Sequence, residues 1–473
     1  MHRSFAYLAA GVVALAATAC GGAAPTPSPS QKAPPASAAA SAAPSASAPA
    51  SPSAPPASAA AKPASAKPAA SGPIKVGLME SLTGAFAQLS KDNQDGFNLY
   101  LESINSTAAG RKIEIVNADD SAKSDVGLTK AKQLVESDKV QLIMGVQFSV
   151  VCQALAQYAK EAQVPVVITG NCPNQTLFTD PKLKSPYLMR FTWFGSETED
   201  VVADYAYKTG FRKAIIMGNE SVGGLELADS FASAFVKRGG AIVQEFYPAV
   251  GTPDFGPFLA QLNQQADMII TLQIGVDALR FGQQFAGYTG PKKPQMMSQT
   301  GGTTSAFNVA QLKDQAVGLI GVDSYCECLD TPLSQSFLKA WRAKYPGRLV
   351  SGDVVHGYAG AQILEAAIKK VNGNVEDKQA FLNALYATNL DTVKGPIKLD
   401  QDHDVIQNQY VFKVVKQGDS YGYQLLETYK ELAATWDRTP QELVNLPFGK
   451  LRGKWVGMTK DKLELLIANP QSA

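Results

Sequence analysis

The chain has 473 residues, with 43 Lys and Arg against 42 Asp and Glu, so its net charge is near zero and no basic field invites nucleic acid. Its three histidines, His2, His356 and His403, are too few for a histidine-rich metal centre, and neither a metal nor a cofactor is expected. It has no H-E-x-x-H, C-x-x-C or G-x-x-x-x-G-K, the sequence signs of zinc hydrolysis, dithiol redox and phosphate-loop chemistry.

His2 and Arg3 precede an apolar run over residues 8–18, and small residues follow. That order reads as a secretion signal over residues 1–19. The run is about eleven residues, short of the roughly 20 that span a bilayer as a helix, so no permanent transmembrane helix is expected. Ala17, Thr18 and Ala19 before Cys20 resemble a bacterial lipobox, without its usual leucine three residues before the cysteine. The resemblance implies lipidation of Cys20 and a membrane anchor outside the cytoplasm; the alternative is cleavage at A-x-A with Cys20 left as a thiol. From residue 23 to 72, 44 of 50 residues are Ala, Pro or Ser, too few apolar groups to bury a core. Residues 20–72 therefore read as a linker, reaching about 155 Å if stretched as polyproline II.

Residues 73–473 can build two domains of ordinary size. "IKVGLM" reads as a strand, and Phe97, Leu101 and Ile104 recur at helical spacing behind it. "RKIEIVNADD", a helix through Leu128 to Val135, "VQLIMG", a helix through "VVCQALAQYAKEA" and "VPVVITG" continue the alternation. After "YLMRFTWFGS" it restarts: "RKAIIMGN", a Leu227, Phe231 and Phe235 helix, "AIVQEFYPA", a helix around residues 258–262, "DMIITLQ", a helix over 279–285 and "QMMSQT". Strand followed by helix, repeated twice over, predicts an α/β protein of two doubly wound parallel-sheet lobes. "AVGLIGVDSY" reads as a strand, a helix follows through Trp341 and Tyr345, and "VVHGYAGAQILEAAIKKV" is a long helix. The chain then turns antiparallel, with Gly418 and Asp419 near a turn.

Four cysteines remain after Cys20, an even number for an oxidising compartment. Cys152 and Cys172 each lie just past a strand end in consecutive units, which favours their pairing. Cys326 and Cys328 would then pair within C-x-C or stay reduced, and all four could instead be small buried apolar groups.

Together, "IKVGLMESLTGAFAQLSKDNQDGFNLYLESIN", "DDSAKSDVGLTKAKQLVESDKVQLIMG", "YPAVGTPDFGPFLAQL" and "GPIKLDQDHDVIQNQYVFKV" resemble the leucine/isoleucine/valine-binding type of solute-binding protein. Such proteins serve ABC importers and have the type I periplasmic-binding fold, two lobes joined by three crossings that close over a ligand. The resemblance implies lobe one at 73–192 and 325–411, and lobe two at 193–324 and 412–473. Crossings are expected near residues 190–195, 322–325 and Phe412. The stretch after about residue 430 lies beyond the resemblance and has no assigned role.

Open parallel sheets bind ligands at the carboxyl ends of their strands. Gln147, Phe148 and Ser149 follow "VQLIMG", and Ser149 is expected either to donate to a ligand carboxylate or to serve as a helix N-cap. Asn171 and Cys172 match the family's stretch that grips an amino-acid head group, with cysteine in place of a hydroxyl. Phe86 and Gln88 are candidate wall residues in the first loop, and Trp193 is either a ligand platform or hinge packing. From the second lobe, Ser221, Val222, Gln273 and Thr300 fall at matching strand ends. Amino-acid binders of the family place an aromatic near Val222 and an acid near Thr300; neither is present here, leaving Glu220 or Asp277 as substitutes. The ligand is thus expected to be a branched-chain amino acid, an amide or an aromatic carboxylate; the missing acid favours a carboxylate or amide without an amino group, for example an aromatic acid stacked on Phe148 or Trp193.

The function that follows is small-molecule capture by a monomer for ABC permease subunits, with no catalysis. A ligand-sensing lipoprotein serving a membrane receptor is the alternative. Hydrolysis would have to rest on His356 or His403.

Overall fold

A computed structural model describes residues 72–84, 87–172, 176–299 and 301–470. The expected signal peptide, Cys20, the expected linker to residue 71, Phe86 and Thr300 lie outside the described residues. Among those described, no helix is long and apolar enough to cross a membrane.

The first lobe opens with β1 (Ile74–Glu80), α1 (Ala87–Ser103), β2 (Thr107–Ala108), β3 (Arg111–Asp119) and α2 (Ser124–Lys132). It continues through β4 (Leu142–Gly145), α3 (Ser149–Ala162), β5 (Val166–Ile168), α4 (Thr176–Thr179) and β6 (Leu188–Arg190). The second lobe runs α5 (Gly195–Lys208), β7 (Lys213–Met217), α6 (Val222–Lys237), β8 (Ala241–Phe246) and α7 (Gly256–Leu259). It goes on with β9 (Met268–Thr271), α8 (Gly275–Ala286), β10 (Gln295–Ser298), α9 (Ala306–Leu312) and β11 (Ile320–Asp323). Helices α10 (Pro332–Lys344), α11 (Gly352–Lys370) and α12 (Lys378–Tyr386) follow, α11 lying along α1. The chain closes with β12 (Asn389–Thr392), β13 (Gly395–Leu399), β14 (Val405–Gln417), β15 (Ser420–Leu432), α13 (Pro440–Asn445) and α14 (Lys460–Ala468).

The first sheet has the order β2-β3-β1-β4-β5-β6, parallel throughout except for β2. The second has β8-β7-β9-β10-β11 in parallel, extended by antiparallel β14 with β15 and β13. Strands such as β4 and β9 are buried along their whole length because helices cover both faces, which is why they read as continuous apolar runs. In each sheet the winding direction reverses once, between β1 and β4 and between β7 and β9. A crevice opens at such a reversal, so both lobes present one at their carboxyl ends.

Three segments pass from one core to the other. Phe191 packs in the first-lobe core and Trp193 in the second; Val322 of β11 belongs to the second and Tyr325 to the α10 and α11 cluster; Val405 and Val411 of β14 likewise divide. Phe412 lies inside the β14 ladder with β11, which already pairs Tyr410 with Asp323. The buried Arg190 guanidinium grips the Asp404 carboxylate through Nε at 2.9 Å and Nη2 at 2.5 Å, tying the first crossing to the third.

The segment after β15 packs on the second lobe. Leu446, Phe448, Leu451, Trp455, Leu463 and Leu466 share one apolar cluster with Leu227, Phe231 and Phe235 of α6. The Trp455 indole N–H donates to Asp229 at 2.6 Å, and buried Arg438 pairs with Asp200 of α5.

Candidate functional site

A cavity of about 180 Å³ lies between the two reversals. An engineered cavity of roughly 150 Å³ holds one benzene ring, so this one is scaled to a single ring with small substituents. Leu89, Ala122, Phe148, Ser149, Val150 and Asn171 wall it from the first lobe, and Trp193 from the crossing. The second lobe supplies residues between β7 and the start of α6, Leu227, Val250 after β8, Ile274 after β9, and Gln299 and Gly301 after β10. Gly301 holds a left-handed backbone (φ +72) against the far lobe, where a Cβ would stand 3.9 Å from Asn171 Nδ2. Among the described residues the wall contains no Asp, Glu, Lys, Arg or His.

Helix α3 starts at the cavity with Phe148 as its N-cap, whose side chain makes no capping bond. Ser149 is therefore the first helical residue and not the cap, and its hydroxyl has no hydrogen bond among the described residues. Ser221 behaves differently: it caps α6, accepting from Gly224 N at 3.0 Å while its hydroxyl donates to Asn219 Oδ1. Asn219 Nδ2 is in turn held by Leu272 O at 2.7 Å. Asn171 accepts the Trp193 indole N–H at 2.7 Å and donates through Nδ2 to Asp353, so it locks the tryptophan ring in the wall.

Of the sequence candidates, Phe148, Ser149, Asn171, Trp193, Ser221 and Val222 border the cavity; Gln88, Gln147, Cys172 and Gln273 do not. Gln88 lies on the exposed side of α1, donating to Asp92 at 2.7 Å. Gln147 is buried, its Oε1 accepting from Asn171 N, and Gln273 Nε2 donates to Gly218 O. Both amides close the protein's own loops. Cys172 is fully buried in a disulfide with Cys152, and its carbonyl accepts from Arg190 Nη1. Cys326 and Cys328 are also joined. The substitutes for a missing acid are engaged elsewhere, Glu220 with Arg452 on the surface and Asp277 with Arg280 and Gly251 N.

Leu89, Asn219, Leu227, Val250, Ile274 and Gln299 enter the wall without having been singled out from sequence. Asn219 and Gln299 are direct neighbours of chosen loop positions, so a register error of one or two residues hid them. Leu89 and Leu227 belong to helices, and their stripes resemble ordinary core faces.

Two constellations imitate catalytic ones. Ser324 Oγ lies 2.8 Å from His356 Nε2, but all of it is buried away from the cavity. Asp323 stands 4.0 Å from that same nitrogen while Nδ1 has no partner, so no acid orients the imidazole as a base. Burial holds His356 well below its ordinary pKa. In the letters G-x-S-x-G at residues 418–422, Gly418 and Asp419 form the turn between antiparallel β14 and β15 and Ser420 opens β15, without the strand-to-helix elbow that exposes a nucleophile.

A family model for periplasmic binding protein matches residues 73–419. The chain belongs to this family. Leu/Ile/Val-binding protein homolog 6 of Brucella melitensis is 23% identical over 366 residues, 76% of this chain and 92% of the relative. An ABC transporter substrate-binding protein from Sphaerobacter thermophilus has TM-score 0.72 at 28% identity, covering 76% of this chain and 98% of the other. A solute-binding protein of an ABC transporter from Rhodopseudomonas palustris, in complex with 3,4-dihydroxybenzoic acid, has TM-score 0.71 at 25% identity with the same coverage. This periplasmic binding protein is the extracytoplasmic solute-binding component of an ABC transporter, taking a small organic ligand between two lobes. Its C-terminal segment lies beyond the family match.

Proposed function

We propose that the protein captures an aromatic carboxylate lacking an amino group and delivers it to ABC permease subunits, as a monomer anchored through acyl chains on Cys20. The observation that carries this reading is a one-ring cavity without a single ionisable side chain in its wall among the described residues. A zwitterionic amino acid would bury its ammonium against no carboxylate, a heavily disfavoured state. A carboxylate, by contrast, meets the uncapped amino end of α3 and the unengaged Ser149 hydroxyl. Phe148 and Trp193 supply aromatic walls for a ring. That the Rhodopseudomonas relative holds 3,4-dihydroxybenzoic acid supports the same class. No catalytic step is assigned, since Ser324 and His356 are sealed off from the cavity.

A thermal-shift screen of benzoates against leucine, isoleucine and valine tests the reading. Saturating aromatic acid should raise the midpoint, with about 2.7 kcal/mol of stabilisation at a hundredfold excess over Kd. A shift with the amino acids and none with the benzoates would overturn it.

A further inference from the structure

Gln299 follows β10, is 1% exposed, and has no hydrogen-bond partner for either Nε2 or Oε1. Its backbone is held, since its carbonyl accepts from Gly302 N and from Ser298 Oγ. The other polar side chains of the wall are engaged within the protein: Asn171 with Trp193 and Asp353, Asn219 with Leu272 O and Ser221, and Ser221 with Gly224 N. Two wall residues of the cavity therefore carry unengaged polar side chains among the described residues, Ser149 from the first lobe and, with its amide buried in the wall, Gln299 from the second.

A buried carboxamide with both ends unpaired is costly to the protein, and a ligand group that pairs both ends removes that cost. A carboxylate would satisfy Nε2 but face Oε1 with like charge, and an ammonium would do the reverse. A hydroxyl or a primary amide both donates and accepts. We infer that Gln299 is a specificity-determining residue that reads a neutral hydroxyl or primary amide on the ligand's ring, across the crevice from a carboxylate held at Ser149. This rests on the aromatic-carboxylate reading above.

The test is calorimetric titration of the full chain and of Gln299→Met with benzoate, 3- and 4-hydroxybenzoate, 4-carbamoylbenzoate and leucine. A site built around a polar partner rejects the analogue that lacks it. At least one substituted acid should bind the unaltered protein about tenfold or more tighter than benzoate. Gln299→Met should abolish that preference, bringing the substituted acids to the affinity of benzoate. Benzoate binding as tightly as every substituted acid would overturn the inference while leaving the aromatic reading intact, and so would an equal loss for all acids in Gln299→Met. If no aromatic acid binds, both fall. Should the variant fail to fold, the ranking of ligands by the unaltered protein decides alone.

Discussion

Ser149 and Ser221 show how two serines at equivalent strand ends acquire different roles. Ser221 closes a helix end with its own oxygen, whereas Ser149 enters its helix one residue after the cap and keeps its hydroxyl unengaged. Ser149→Ala should therefore weaken ligand binding by about 1–3 kcal/mol and leave unliganded stability nearly unchanged. Ser221→Ala should lower stability by about 0.5–2 kcal/mol through loss of the cap. Titration and denaturant unfolding on both variants check the contrast; the same stability loss in both would show Ser149 to be structural too. Both loops were legible in the sequence because apolar strands end abruptly before them. Which serine remains unengaged was not, since that depends on where the helix takes its first turn.

Arg190 and Asp404 join elements that the chain separates by more than two hundred residues, and both side chains are almost wholly buried. Asp404→Ala would leave an uncompensated guanidinium between β6 and β14, so unfolding free energy should fall by about 3–5 kcal/mol. A loss below about 1 kcal/mol by urea titration would mean that the crossings do not depend on this pair. The segment after β15 makes a comparable commitment. Trp455 fills the cluster on α6 and is fixed by Asp229, so Trp455→Ala should cost about 3–5 kcal/mol. Sequence reading left this stretch without a role because its apolar residues are spaced among prolines and glycines, with no period long enough to name a face.

At the scale of the fold, buried acids outnumber the buried bases that would oppose them among the described residues. Burial pushes Glu197 up to about 8, Asp229 to about 7 and Asp200 to about 6, and holds Glu199 well above its ordinary range. Each keeps its proton in the folded state over a window in which the unfolded chain has lost it. Stability therefore falls as pH rises through that window. His356, lowered by burial, works in the opposite sense below its ordinary value of 6.5, and Lys394, lowered to about 7, does so only at higher pH. The thermal midpoint should thus drop between about pH 5 and pH 7, and Glu199→Gln should flatten the drop. Scanning calorimetry at several pH values checks this; a midpoint that rises over the interval would contradict it.

The alternation of short apolar strands with amphipathic helices, readable over a dozen residues at a time, determined the doubly wound lobes and put the ligand loops at their strand ends. Period and run length are local, so they survive in one dimension. Only the tertiary structure decided that Gln273 and Gln147 close loops while Gln299 keeps its buried amide unpaired in the cavity wall, and that the C-terminal segment covers α6. A hydrogen-bonding group is engaged or free according to what another part of the chain brings within about 3 Å of it, and no local pattern encodes that neighbour.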